Sequence, residues 1–248
     1  MAFCDIDMEQ TNPKHTGLSR FFVLLLDNLG GYVKANFLCI LCFLPSILVA
    51  GFMLFISGNV FLVFCSLLVF SPLVGKGLIG LSIVINHSLR DRSTSFCKGF
   101  KETWTKSALP GVIYICHVEL LIYLMVFKDV IDKLSVAPRI WILFLSISIF
   151  LRVVLAYMLP FMVIMELPLR DILKNSMIMV AIFPKQTIGT LFLSGIAVAL
   201  ELLLFPRSIL YIITAGIVIQ ELAKQVLIWP CIDRIFEIDE HANSETIH

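Results

Sequence analysis

Six stretches of this chain are each about as long and as apolar as an α-helix must be to cross a lipid bilayer. They fall at about residues 36–58, 60–86, 108–127, 139–165, 187–206 and 208–229. A hydrocarbon core about 30 Å thick takes roughly 20 apolar residues in helical form. Within that core every backbone polar group must find its partner inside the protein, which leaves only helices and closed barrels. Runs this long, without alternation of polar and apolar residues, exclude barrel strands of about 9–11 residues. The expected fold is an all-α membrane protein with six transmembrane helices. Composition points the same way: 59% of the 248 residues are hydrophobic and 15% are charged. A soluble domain is about half apolar and about a quarter charged.

Two features interrupt the apolar runs. In the second, Ser71-Pro72-Leu73-Val74-Gly75-Lys76-Gly77 places proline among small residues. Proline removes a helix hydrogen bond and clashes with the preceding turn, so a kink or an unwound segment is expected there. Between the fifth and sixth runs stands Phe205-Pro206-Arg207-Ser208, which reads as a tight turn. One continuous helix of about 43 residues would be roughly 65 Å long, too long for the bilayer, whereas a hairpin fits.

The placement of lysine and arginine gives the orientation. Thirteen of the nineteen fall on the side of the 87–107 segment and of both termini, and four (Lys128, Lys133, Arg139 and Arg207) fall on the other. Basic loops stay in the cytoplasm, so both termini are expected there, in a multi-pass protein of the cell membrane. Residues 1–16 are polar and acidic, without the basic start and apolar core of a cleavable signal peptide. The membrane domain is read as 17–230, with a polar tail at 1–16 and an acidic tail at 231–248 expected to be disordered.

Three segments, 17–35, 89–107 and 169–187, each precede an outward span and carry basic residues. Two of them begin Leu-Arg-Asp. Each is read as an amphipathic helix on the cytoplasmic surface, which suggests three repeats of surface helix, span out and span back. Loops that are alike only because all are basic would give the same pattern. In the second segment Phe96, Phe100 and Trp104 recur at spacing four, forming one apolar stripe if the segment is helical. Such a helix would anchor in the interface or touch a cytoplasmic partner.

Ionisable residues within spans are costly unless paired or hydrated, and so mark candidate sites. Arg152 lies near the middle of the fourth run, His117 and Glu119 near the middle of the third, and Glu201 in the outer part of the fifth. Lys76 follows the break in the second run, and Glu221 lies in the sixth. Two readings stand. Arg152, Glu119, His117, Glu201 and Lys76 could surround a polar cavity that binds a ligand. Arginine, with five donors and a permanent charge, would suit an anionic or hydroxyl-rich one. Alternatively Arg152 and Glu119 form a structural ion pair. Glu221 and Lys224, three apart, could pair along one helix.

Other chemistries find no support. His117 and Glu119 are two residues apart and face opposite sides of a helix, unlike zinc-binding histidines at spacing four. No metal or cofactor site is expected. Cys39-Ile40-Leu41-Cys42 has redox-motif spacing, but burial in lipid disfavours a thiolate. The seven cysteines read as packing residues rather than a disulfide framework. Gly75-Lys76-Gly77 is not a phosphate-binding loop. No nucleophile–base pair or carboxylate pair is placed for catalysis, so a non-enzymatic role is expected. The basic segments are explained by the bilayer, and nucleic acid is not an expected partner. The sequence sets no oligomeric state.

The chain also resembles the YesL-like family of bacterial integral membrane proteins. The resemblance rests on LGGYVKANFLCILCFLP at 29–45, SPLVGKGLIGL at 71–81, FCKGFKETWTKS at 96–107 and DILKNSMIMVAIFPKQTIGTLFL at 171–193. It covers roughly residues 17–230, and Ser71 and Lys76 depart from the family's small-residue pattern at the break. Proteins of this kind look like neighbours of carbohydrate-uptake systems. The resemblance therefore implies an accessory or membrane subunit of a carbohydrate transport system, with ABC-type transporter subunits as partners. The residue-based alternative is a stand-alone carrier or ligand-binding module built around Arg152 and Glu119.

Overall fold

The computed structural model describes residues 5–6, 17–90, 94–101, 104–133, 136–204 and 206–236, and every long element is a helix. The helices are α1 (Gly17–Asp27), α2 (Leu29–Ser57), α3 (Val60–Val69), α4 (Ser71–Leu89), α5 (Trp104–Val126), α6 (Lys128–Ile131), α7 (Ala137–Ile164), α8 (Leu169–Ile182), α9 (Pro184–Leu203), α10 (Ser208–Tyr211) and α11 (Ile217–Phe236). One two-residue antiparallel pair joins β1 (Asp5–Ile6) to β2 (Thr94–Ser95). The rest of the 1–16 tail, and 237–248 of the acidic tail, lie outside the described residues. Residues 231–236, placed in the acidic tail from sequence, form the end of α11.

Among the described residues, five helices are long and apolar enough to cross a membrane: Leu29–Ser57, Ser71–Leu89, Thr105–Leu124, Pro138–Ile164 and Ser208–Phe236. A sixth is reached if α8 and α9 count together, and those two meet at 97°. The chain is thus an all-helical protein with five to six potential spans. The expected second run divides. Its first part is α3, which at ten residues is only about 15 Å long and cannot cross alone. Asn59 starts α3 by accepting the Phe61 N–H at 2.9 Å, the usual way to satisfy an orphan donor at a helix start.

The break falls at Phe70, one residue before the segment where a kink was expected, and 71–77 is helical rather than unwound. Pro72 explains both facts. In the first turn of a helix its missing N–H costs nothing and its fixed φ suits the helix. The helix α4 that follows is the centre of the bundle, with 83% of its span buried. It packs on α2, α5, α7 and α11. Gly75 and Gly111 allow the closest of these approaches. A Cβ on Gly75 would overlap the Ser107 carbonyl of α5, and one on Gly111 would overlap the Ser71 carbonyl of α4. Small residues let membrane helices approach backbone to backbone, where apolar burial supplies no drive because lipid is equally apolar. Gly77 plays a similar part toward Cys39 and Cys42 of α2.

The expected surface helices fare differently. The first segment contains α1, but its residues 29–35 belong to α2. The third contains α8, which is followed by the 97° bend into α9. The second does not form an α-helix around its aromatic stripe. Residues 96–101 form a 3₁₀ helix, whose period of three does not align residues four apart. Phe96 is buried against Gly80 of α4, so it is a core residue rather than an interfacial anchor. The side chains of Phe100 and Trp104 lie outside the described residues. The threefold repeat is therefore incomplete at its second unit. Among the cysteines, 39, 42, 65, 116 and 231 are free, in keeping with packing roles, whereas Cys97 is disulfide-bonded and departs from that reading.

The turn at residues 206–207 separates α9 from α10, and the Ser208 hydroxyl donates to the Glu201 carbonyl at 2.7 Å. The two arms run antiparallel. Gly189 of α9 faces Leu227 of α11, and Glu201 near the other end of α9 meets Gln220. The hairpin expected from sequence is present.

Candidate functional site

The polar residues of α11 are set by a local irregularity. Residues Ile212–Gly216 form a π-helical turn, which inserts one extra residue and leaves backbone groups without their usual partners. Asn36 of α2 supplies those partners. Its amide donates to the carbonyls of Ile212 at 2.9 Å and Ile213 at 2.8 Å. Its carbonyl oxygen accepts the Val218 N–H at 3.0 Å. One buried side chain thus fixes the register of α11. We expect Asn36→Leu to lower stability by about 2 kcal/mol, since it strands backbone polar groups in an apolar core. An unchanged melting temperature in detergent would show that the bulge is held by packing alone.

Beyond the bulge, Gln220, Glu221, Lys224 and Gln225 fall on one face of α11, within an arc of roughly 140° at 100° per residue. Gln225 enters a neutral network: its amide donates to Ser82 Oγ at 3.0 Å, and its carbonyl accepts from Asn86 at 2.9 Å. This ties α11 to α4. Two of the others, Gln220 and Glu221, meet a charge from α7. Arg152 Nη2 lies 3.9 Å from Glu221 Oε1 and 3.5 Å from Gln220 Oε1. Lys224 donates to Glu221 on its other side. Gln220 in turn donates to Glu201 Oε1 of α9 at 2.5 Å. The result is a row, Glu201–Gln220–Arg152–Glu221–Lys224, that joins three helices. When ionised it carries two positive and two negative charges, so the bundle holds it without net charge.

The expected pairing of Arg152 with Glu119 is overturned, because Arg152 takes its carboxylate from α11. Glu119 is 4% exposed and makes no hydrogen bond or ion pair among the described residues. Its face of α5 turns toward α3: Tyr123, one turn on, donates to the Val60 carbonyl at 3.4 Å. The expected Glu221–Lys224 pair is present. It also changes the reading of orientation, since Lys224 is 3% exposed within the bundle and is not a loop charge.

His117 lies beside the row. Its Nδ1 is 2.8 Å from Ser148 Oγ and 3.0 Å from the Ser148 carbonyl. Ser148 stands one turn before Arg152 on the same face of α7, so His117 fastens α5 to α7 next to the guanidinium. Lys76 is buried in α4 between the two glycines that pack on α5 and α2. Of the five residues singled out from sequence, the structure brings Arg152, His117 and Glu201 together. Glu119 falls on another face. Among the described residues, no group of three histidine, cysteine or acidic side chains could hold a metal ion.

Asn36, Gln220 and Gln225 escaped the sequence reading, which weighed only ionisable groups. The signal was present: an amide inside an apolar run must also find a partner.

The row ends at a large cavity. Glu201 and Gln220 form part of the wall of a groove of about 1110 Å³ between α9 and α11, lined also by Gly17, Leu18 and Phe21 of α1. Most of its wall is apolar, from Leu193, Ala197, Ala223 and Leu227 among others.

Compared with family models, curated proteins and solved structures, the chain matches none.

Proposed function

We propose that this chain is a non-catalytic, multi-pass protein of the cell membrane that binds a polar solute within the bilayer as a stand-alone carrier or binding module. The observation that supports this is the guanidinium of Arg152. Both of its contacts use Nη2, so Nε and Nη1 make no hydrogen bond or ion pair among the described residues. Its side chain stays 13% exposed beside buried Glu221 and Lys224. An arginine held in place by a carboxylate, with donors to spare, can take an anionic or hydroxyl-rich ligand. In this reading both termini are cytoplasmic, all six runs span, and α1 and α8 lie at the inner interface.

The test is a screen of sugars and small carboxylates against the purified chain, with Arg152→Lys as the control. Lysine keeps the charge but loses the planar fork. Binding by the wild type, weakened about tenfold or more in the variant, supports the proposal. Equal binding by the two proteins would remove Arg152 from the site.

A second reading has its own support. The outer halves of α2 and α7 are largely exposed: Phe52, Phe55, Ile142 and Leu143 all face outward, whereas the inner halves pack closely. Such surfaces suit another membrane subunit as well as lipid. This is the accessory-subunit role in carbohydrate transport that the YesL-like resemblance implies. Gentle co-purification of the tagged protein from native membranes separates the readings. An ATPase and a permease recovered in near-equal amounts favour the subunit, and the chain alone favours the self-contained module.

A further inference from the structure

At the end of α9 away from the charged row, the groove between α9 and α11 meets a second, smaller cavity of about 400 Å³. Gln186 and Pro230 line both, so the two adjoin at these residues. The smaller one is the mouth, and it carries Lys185 and Arg234, both exposed. No acidic side chain lines it. From this mouth the wall of α9 runs through Leu193 to Ala197 without a charge. Glu201 follows one turn later. The eleven steps from Gln186 to Ala197 rise about 16 Å, close to the thickness of one leaflet, half of about 30 Å.

A cationic mouth, an uncharged groove one leaflet deep and a polar end match the parts of one molecule. We propose that this groove holds an acyl chain of an anionic phospholipid, whose phosphate sits between Lys185 and Arg234. The tail lies between α9 and α11 and ends near Ala197, short of Glu201 and Gln220. The lipid thereby fills a lateral gap in the bundle and leaves the charged row free. This inference goes beyond the carrier reading and does not depend on it.

The full chain, purified in non-ionic detergent, is titrated with phosphatidylglycerol and with phosphatidylcholine of the same acyl chains. Bound lipid is counted by native mass spectrometry. Phosphatidylglycerol is expected to be retained roughly tenfold better, the order that two basic side chains at a membrane surface supply. The double variant Lys185→Gln/Arg234→Gln, changed only at exposed positions, should retain the two lipids equally. Ala197→Trp fills the groove at the depth of the tail and should lower retention of both lipids. Ala223→Phe, from the facing helix, should act alike and provides a second test if the tryptophan variant does not fold. Equal retention of the two lipids by the wild type overturns the proposal, as does full retention by both groove-filling variants. Displacement of the lipid by glycerol phosphate would make this a phosphate site instead. A dimer that excludes lipid would make the groove a subunit interface.

Discussion

Replacing Glu221 with glutamine is expected to destabilise the protein by about 3–5 kcal/mol, the usual cost of removing one partner from a buried ion pair. Glu221 is placed between two cations, with Arg152 at 3.9 Å and Lys224 hydrogen-bonded to it. Both cations are shielded from solvent, at 13% and 3% exposure. Glutamine keeps the shape and one acceptor but removes the charge. Two positive groups then remain side by side, with Glu201 reaching Arg152 only through Gln220.

The rest of the argument lies in two further variants. Glu221→Leu/Lys224→Leu removes one charge of each sign, so part of the loss should be recovered, with Glu201 left as the counter-charge of Arg152 through Gln220. The difference between the double change and the sum of the single ones measures the coupling. Glu119→Gln should change stability by less than about 1 kcal/mol, because no ion pair is lost. Denaturant unfolding in mixed micelles reads all of these. A Glu221→Gln protein as stable as the wild type would show that the row contributes nothing to the fold. A larger loss at Glu119 than at Glu221 would return Arg152 to its sequence-based partner.

Gly75→Ala and Gly111→Ala should each cost about 3 kcal/mol, at the upper end of the range for overpacking. The reason is the identity of the atoms in the way. At both positions a methyl group meets a backbone carbonyl of the facing helix rather than the end of a mobile side chain. A carbonyl within a helix cannot swing aside, so α4 and α5 must move apart along their whole contact. Leucine at either position should prevent assembly of the bundle. Gly51 supplies the control: it lies inside α2 with nothing near its missing Cβ. Alanine there should leave stability unchanged or raise it by up to about 1 kcal/mol, the helix-propensity difference. Thermal unfolding in one detergent separates the two outcomes. Equal effects at Gly51 and Gly75 would mean that the close approach of α4 and α5 carries no weight.

Much of this arrangement follows from the chain itself. The apolar runs fix the helices, because a backbone in lipid has no other way to satisfy its polar groups. Pro72 fixes where α4 begins, and the length limit of the bilayer fixes the hairpin at residues 206–207. The glutamate and lysine three apart on α11 find each other through helix geometry alone. In each case the deciding interaction is local, or is made with the solvent.

The tertiary structure decided the rest. From sequence Arg152 takes Glu119 as its partner, because sequence gives depth without the rotation of each helix about its axis. That rotation is set by packing, here by Asn36 holding the bulge before Gln220 and by His117 fastening α5 to α7. Lys224 reads as a loop charge until its neighbours are known, and Phe96 reads as an anchor until Gly80 is found beneath it. The groove joins residues of α9 to residues of α11 some forty positions away. Its cationic mouth exists only because Lys185 and Arg234 are brought to the same end of an antiparallel pair. Proximity between distant segments depends on which helix faces meet, and that is a property of the packed bundle rather than of any one run.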